Sequence, residues 1–401
     1  MTPPASELEL SVVIPCLNES STIGGCVTTA LDAMRRHDIR GEVVVSDNGS
    51  TDGSVGVAIA AGARVIACRT SGYGAAVVTG LASARGRYLL MGDGDQSYDF
   101  ALLPRFLEKA RTGARFVMGS RLRGKIHPGA MPPLHRYVGT PVLTWILNSL
   151  FGTRISDCNC GMRCIERGTF LALGLTSTGM ELASEMVVKA AVLGIPIDEV
   201  AINFYCDARG RRPHLRPFRD GWRHLRLLLW HAPDHMMTLP GFIMLAVGLL
   251  LAFSQLAGPV SLGSTVLDLH YMILGDTLSL VGTSAASLGL LVGATTPAGT
   301  VRHLKMLKPV HRGYTIDTAA LAAGLLFSAG LAVDGSVLAY WLVHDRGELG
   351  LFFTRLTLCG LLLIGMSVQI GLSALVVGLR VPTKTPASPR PRGATDDAEA
   401  L

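Results

Sequence analysis

Four apolar stretches in the second half of the chain restrict its fold more than any other feature. They cover about residues 239–258, 271–295, 317–341 and 351–379. Each meets the roughly 20 apolar residues that a helix needs to cross the hydrocarbon of a bilayer. No water is present there to satisfy a backbone amide, so each stretch is expected to be a transmembrane helix. Asp276 and Asp334 interrupt the second and third. Acids inside a membrane are costly and often functional, although either one also fits the end of a span.

Loop charge predicts the orientation. Arg302, His303, Lys305, Lys308, His311 and Arg312 lie between the second and third stretches, and basic residues also flank the set on both sides. The segments 259–270 and 343–350 carry few. The positive-inside rule then puts the N-terminal region, the middle loop and the tail in the cytoplasm of an integral, multi-pass protein of the plasma membrane. Residues 1–10 lack an apolar core, so no cleaved secretory peptide is expected. The predicted organisation is a cytoplasmic domain over 1–219, a juxtamembrane amphipathic helix over 220–237, a four-helix membrane domain over 238–380 and a disordered tail over 381–401. The tail is rich in Pro, Thr and Ala with scattered charge.

Composition narrows the partners. Charged residues are only 16% of the chain and the net charge is +6. With four spans, that balance favours anionic phospholipid and phosphate ligands over nucleic acid. Gly and Ala in the spans allow helix association, so a homo-oligomer is compatible with them. The eight cysteines do not form a disulfide framework in a cytoplasmic setting. Cys158, Cys160 and Cys164 lack the paired spacing of structural zinc knuckles and read as small buried residues.

The first 230 residues alternate strands and helices. Apolar runs at 10–15, 42–46, 63–67 and 88–90 read as buried strands, with helices over 23–36, up to 61 and over 75–84. Continuous apolar strands separated by helices predict an α/β domain with a mostly parallel sheet covered on both faces. In such sheets ligands gather beyond the carboxyl ends of the strands. Three polar turns fall there, at 15–19, 47–52 and 93–99. The last holds Asp93-Gly94-Asp95, whose carboxylates are expected to point the same way if the strand continues through them. Paired hard oxygens suit Mg²⁺ or Mn²⁺, which commonly bridge phosphates. A dinucleotide fold is excluded by the first turn, Pro15-Cys16-Leu17-Asn18-Glu19, which has no G-x-G-x-x-G.

These ordered motifs resemble a family. Val12 to Glu19, then Asp47-Asn48-Gly49-Ser50-Thr51-Asp52, Gly72-Tyr73-Gly74 and Asp93-Gly94-Asp95 are similar to the family 2 glycosyltransferases of GT-A fold. Met118-Gly119-Ser120-Arg121 and Ser156 to Arg163 resemble the branch of dolichol-phosphate mannose synthases and polyprenyl-phosphate glycosyltransferases. The likeness covers about residues 10–233, and the four-span tail is similar to membrane-anchored members. It implies that Pro15, Asn18, Glu19 and Asp47 lie near the nucleotide, together with Gly72 and Gly74. It implies that Asp93 and Asp95 hold the metal, with either Gln96 or Ser97 completing the shell. Asn48 stands where the family has a second acid.

The implied reaction is inverting transfer of one sugar from a nucleotide-diphosphate sugar of GDP-mannose or UDP-glucose type to a polyprenyl or dolichyl phosphate. A lipid phosphate is already ionised at neutral pH, so positioning and electrostatics suffice without a strong base. With a hydroxyl acceptor, Asp157 or Glu185 is the candidate base; both also suit binding of sugar hydroxyls. Arg121 resembles the arginine near the acceptor phosphate, and Arg209, Arg211 and Arg212 supply further guanidinium forks. The same basic strip also suits anionic lipid. Helices at 134–151 and 220–235 mix Arg, Trp and apolar residues and fit the headgroup zone. A processive polysaccharide synthase is excluded by the lack of Q-x-x-R-W. Transfer to another lipid or glycan, and a non-catalytic flippase or scaffold, remain the alternatives.

Overall fold

Strands made almost wholly of apolar residues have no face to offer solvent, and here they form the interior of a sheet covered on both sides. The computed structural model describes residues 8–208, 217–263, 265–296, 301–344 and 346–380. It contains two compact units. One runs to Ala232 and includes Arg302; the other takes Pro233–Thr296 and the chain from His303.

In the first unit the element order is β1 (Leu10–Cys16), α1 (Ile23–Arg36), β2 (Gly41–Asp47), α2 (Ser54–Ala60), β3 (Arg64–Ala67), α3 (Tyr73–Ser83) and β4 (Tyr88–Met91). There follow α4 (Leu103–Arg111), β5 (Phe116–Ser120), α5 (Thr140–Phe151), β6 (Arg163–Glu166), α6 (Arg167–Leu173), α7 (Leu182–Val192), β7 (Asp198–Ala201) and α8 (Pro217–His231). The sheet order is β3-β2-β1-β4-β6-β5-β7. All pairings are parallel except those of β6, which is antiparallel to β4 and β5. The expected mostly parallel sheet is therefore present, with one reversed strand that the sequence reading did not anticipate.

Side chains alternate across it, as strand geometry requires. Val12, Ile14, Val43, Val45 and Leu90 face α1 and α4, beside Ile23, Val27 and Phe106. Val13, Val44, Leu89 and Met91 face α3, α5 and α7, beside Val77, Leu147, Phe151 and Met186.

β6 starts with a fully buried cation. Arg163 has no exposed surface. Its guanidinium donates to the carbonyls of Cys160, Ala183 and Cys158 at 2.8, 2.7 and 2.7 Å. Burial lowers its pKa, yet three carbonyl dipoles stand in for a counter-ion. Cys158, Cys160 and Cys164 are also buried, and burial raises their thiols to about 11, 12 and 12. Such thiols stay protonated and act as packing, as the sequence suggested.

The second unit contains α9 (Leu239–Ser254), the short hairpin β8 (Val260–Leu262) and β9 (Thr265–Leu267), α10 (Leu269–Thr295), α11 (Lys308–Gly313), α12 (Ile316–Val343) and α13 (Leu351–Arg380). Four of its helical segments are long and apolar enough to cross a membrane: Asp234–Ser254, Leu269–Thr295, Ile316–Val343 and Leu351–Val376. Glycine governs how α9 meets α10. A Cβ on Gly241 would stand 2.4 Å from the Ala286 amide, and one on Gly248 would stand 2.5 Å from the Ser279 amide. Gly275 and Gly282 answer from the other helix, at 2.7 Å from Ala252 N and 2.4 Å from Leu245 N. Small residues let two apolar helices bring their backbones together where lipid provides no hydrophobic drive. The Oδ1 atoms of Asp276 and Asp334 are buried with no hydrogen-bond partner among the described residues.

Candidate active site

The strand order turns between β1 and β4: β2 and β3 lie to one side, and the remaining strands to the other. A crevice opens beyond the carboxyl ends of strands at such a switch point. The loops leaving β1, β2 and β4 meet there, and they carry the three polar turns singled out in the sequence.

The β1 and β2 loops are tied to each other. Asn18 adopts φ 58°, the left-handed region that Asn tolerates. Its side-chain oxygen accepts from the Thr51 amide at 2.8 Å, and its own amide donates to Ser50 Oγ at 2.9 Å. The Glu19 amide donates to Ser54 Oγ at 2.8 Å, and the Ser20 amide donates to Asp52 at 3.0 Å. Asp52 also accepts from Ser54, and these bonds, the Ser54 hydroxyl first, hold its carboxyl below the usual range. Asp47 caps its own turn by accepting from the Gly49 and Ser50 amides at 3.1 and 3.2 Å. Pro15 is the penultimate residue of β1, and Glu19 is buried.

Asn48 has a structural reason to be an amide. Its nitrogen donates to the carbonyls of Cys68 and Thr70 at 3.3 and 2.7 Å, while its oxygen accepts from the Gly72 amide at 2.8 Å. A carboxylate has no hydrogen to give those carbonyls. Asn48 thereby fixes the turn that starts α3. In that turn Gly72 has φ 134°, and a Cβ there would stand 2.2 Å from Thr178 O. A Cβ on Gly74 would stand 2.5 Å from Ser177 O. Both glycines allow two backbones to touch.

One correction concerns the acid pair. β4 ends at Met91, so Asp93 and Asp95 are on a turn beyond it and strand alternation does not aim them. The turn is closed by Gln96 in the left-handed region, at φ 62°. The Gln96 amide is directed to the start of α1 and donates to Thr22 O at 3.3 Å. The side chain brought to Asp95 is Ser97, whose amide and hydroxyl donate to Asp95 Oδ1 at 3.0 and 2.6 Å. Asp93 Oδ1 accepts from the Tyr73 hydroxyl at 2.8 Å. Tyr73 carries no weight in the sequence reading; a hydroxyl inside a Gly-rich turn was the available signal. Burial, then the Asp93 charge, pushes its phenol well above the usual value. A Cβ on Gly161 would stand 2.9 Å from Asp93 Oδ2, so glycine keeps the space before that oxygen open.

Arg121 and Asp157 pair with each other. Arg121 leaves the end of β5, and its Nε and Nη2 donate to Asp157 Oδ2 and Oδ1 at 2.7 and 2.8 Å. The Arg121 amide adds a third bond, to Oδ2, at 3.1 Å. Asp157 is fully buried and Arg121 is 8% exposed. The guanidinium carbon also lies 5.1 Å from the Phe204 ring centroid. Burial alone would lower the Arg121 pKa, but nearby Tyr98 and Asp157 raise it. Glu185 accepts from Thr176 N, Ser177 N and Lys189, which commits it to shaping the loop that Gly72 and Gly74 touch.

The segment after β7 runs along the acid turn. Tyr205 N donates to Ser97 O at 3.0 Å, and Ala208 N donates to Asp95 O at 3.2 Å. Arg209, Arg211 and Arg212 follow and lie outside the described residues. Two helices expose apolar side chains on the same unit. Leu134, Tyr137, Val142 and Trp145 recur at helical spacing through the π-helical turn His135–Gly139 and α5, and Trp222, Leu225 and Trp230 recur on α8.

Comparison with known proteins identifies the family. Residues 11–172 match the family model described as glycosyl transferase family 2. The low-salt glycan biosynthesis hexosyltransferase Agl6 of Haloferax volcanii is 39% identical over 332 residues, covering 80% of this chain and 79% of the relative. A dolichyl-phosphate hexose transferase of the same organism is 33% identical over 216 residues, covering 53% of this chain and 89% of the relative. Among solved structures, glucosyl-3-phosphoglycerate synthase from Mycobacterium tuberculosis with Mn²⁺, UDP-glucose and phosphoglyceric acid is 23% identical. It covers 56% of this chain and 78% of its own, with a TM-score of 0.44. With this identity to Agl6 over most of both chains, and with four helices long and apolar enough to cross a membrane, the chain belongs to glycosyl transferase family 2.

Proposed function

We propose that this glycosyltransferase moves one hexose from a nucleotide-diphosphate sugar to a polyprenyl phosphate at the cytoplasmic face of a membrane, with inversion at the sugar carbon. The observation that carries this reading is the Asp93–Asp95 turn, which touches Thr22 on one side and the 204–208 segment on the other. The start of α1 and the segment after β7 thus meet at one pair of carboxylates.

The acid pair fits a hard divalent ion. Its donors are carboxylate oxygens, one fixed by Tyr73 and one by Ser97, and Gly161 leaves room before Asp93. Mg²⁺ or Mn²⁺, when bound, would be held by Asp93 and Asp95 and offset charge on the leaving nucleoside diphosphate. Asp47, Glu19, Asn18 and Pro15 line the rim where the nucleotide is read. Gly72 and Gly74 permit the close turn that presents Tyr73.

Arg121, held in place by Asp157, is assigned to the acceptor phosphate through the guanidinium N–H groups that the pair leaves over. Asp157 spends both oxygens on Arg121, which suits a positioning role rather than a base. Arg209, Arg211 and Arg212 supply further guanidinium forks suited to the same phosphate. Exposed Tyr137, Trp145, Trp222 and Trp230 suit the headgroup layer, where an aromatic ring has both an apolar body and a polar edge. The acceptor named for the dolichyl-phosphate relative supports a lipid phosphate.

The test is incubation of membranes containing the chain with labelled UDP- and GDP-hexoses, polyprenyl phosphate and Mg²⁺ or Mn²⁺. The expected result is lipid-extractable label with one donor class, lost in Asp95→Asn. Absence of label with every donor would refute the reading.

A further inference from the structure

The second unit brings together Asp234, His303 and His311. Asp234 opens the π-helical turn Asp234–Thr238 ahead of α9 and is fully buried. His303 and His311 come from the stretch between α10 and α12, 69 and 77 residues further along. His311 Nε2 stands 2.6 Å from Asp234 Oδ1, and His303 Nδ1 stands 3.3 Å from Asp234 Oδ2. One ligand atom from each residue lies within 4.8 Å of the other two. Among the described residues this is the one group of three or more such side chains.

We propose that these three residues bind a divalent transition metal of the zinc class. The donor set is one carboxylate oxygen and two imidazole nitrogens, the combination that zinc accepts with a fourth position left for water. Metal–ligand bonds of about 2.0–2.1 Å in a tetrahedron put neighbouring donors about 3.3 Å apart. The two imidazoles now approach different oxygens of Asp234, His303 Nδ1 at 3.3 Å from Oδ2 and His311 Nε2 at 2.6 Å from Oδ1, so the His311 contact has to open by about 0.7 Å to make room for an ion.

The surroundings support the assignment. Asp234 is steadied from outside the cluster by the Leu304 amide at 2.8 Å and the Thr238 hydroxyl at 3.3 Å. Such outer partners orient a metal-binding carboxylate. The two imidazoles lie with centroids 4.1 Å apart. They fit because α10 has Gly293 opposite them: a Cβ there would stand 2.8 Å from His311 Cε1 and 3.0 Å from His303 Cε1. Irregular π turns often mark functional positions in helices. The bound metal ties the loop between two spans to the head of another. Imidazole prefers zinc-class ions over Mg²⁺, so this site is chemically distinct from the Asp93–Asp95 pair and independent of the transferase reading.

The experiment uses the full chain in detergent, stripped with chelator and then titrated with Zn²⁺. About one Zn²⁺ per chain should survive gel filtration. X-ray absorption at the zinc edge should give a first shell of nitrogen and oxygen only, with imidazole outer scattering. That measurement needs no variant. His311→Gln and Asp234→Asn should each weaken retention on the order of 100-fold, since even loss of an outer partner costs about 10–100-fold. Asp95→Asn should retain it. No retained zinc, equal retention in His311→Gln, or a sulfur shell near 2.3 Å would each overturn the proposal.

Discussion

Asp157→Asn should damage the first unit far more than a one-atom change suggests. In the native pair Arg121 gives three hydrogen bonds to one carboxylate that has no exposed surface. Asparagine keeps one acceptor oxygen, loses the charge and turns an NH₂ toward a guanidinium. Breaking a buried pair by removing one partner costs about 3–5 kcal/mol, because the remaining charge is desolvated and uncompensated. For a unit of this size each kcal/mol moves the midpoint by about 2–4 °C. The expected drop is therefore about 6–20 °C, followed by tryptophan fluorescence on heating with donor nucleotide binding as a second readout. Replacing both partners by apolar residues, Arg121→Met with Asp157→Leu, should recover most of the midpoint but no transferase activity. A fall of less than about 2 °C in Asp157→Asn would mean that the pair is not a buried charge couple, and the positioning role given to Asp157 would fail with it.

Three further outcomes follow from the geometry. Tyr73→Phe deletes a hydroxyl bonded to the Asp93 carboxylate; a bond to a charged group is worth about 1.5–3 kcal/mol, so turnover should fall roughly 10–100-fold, and an unchanged rate would remove Tyr73 from the site. Asn48→Asp should lower the thermal midpoint by about 4–8 °C, since two hydrogen bonds to carbonyls worth about 1 kcal/mol each are lost; a raised midpoint contradicts the account of Asn48. Tyr137→Glu with Trp145→Glu should raise the apparent KM for polyprenyl phosphate at least about tenfold by removing two apolar anchors, with nucleotide affinity unchanged; a parallel loss of nucleotide binding would place these side chains in the fold rather than at the lipid surface.

The parts of this fold legible in the sequence were those written in continuous patterns. β1, β2 and β4 are uninterrupted apolar runs, and the spans are longer than any soluble core needs. β6 was not legible, because its four residues begin with Arg and end with Glu and its buried cation is met by carbonyls from Cys158, Cys160 and Ala183. The acid pair was legible as chemistry but not as geometry, since a left-handed residue at 96 is needed to bend the turn. Tyr73 meets Asp93 across 20 residues, and Asp234 meets His311 across 77. No local spacing encodes such pairs; they exist only once the chain has folded.

The lacing of the first two loops has a kinetic consequence. Asn18, Ser50, Asp52 and Ser54 hold the rim together without any help from a substrate. A rim tied in advance leaves little conformational freedom to be frozen when a ligand arrives. Under the function proposed above, altering the rim should therefore change which donor is chosen more than how quickly any donor is captured.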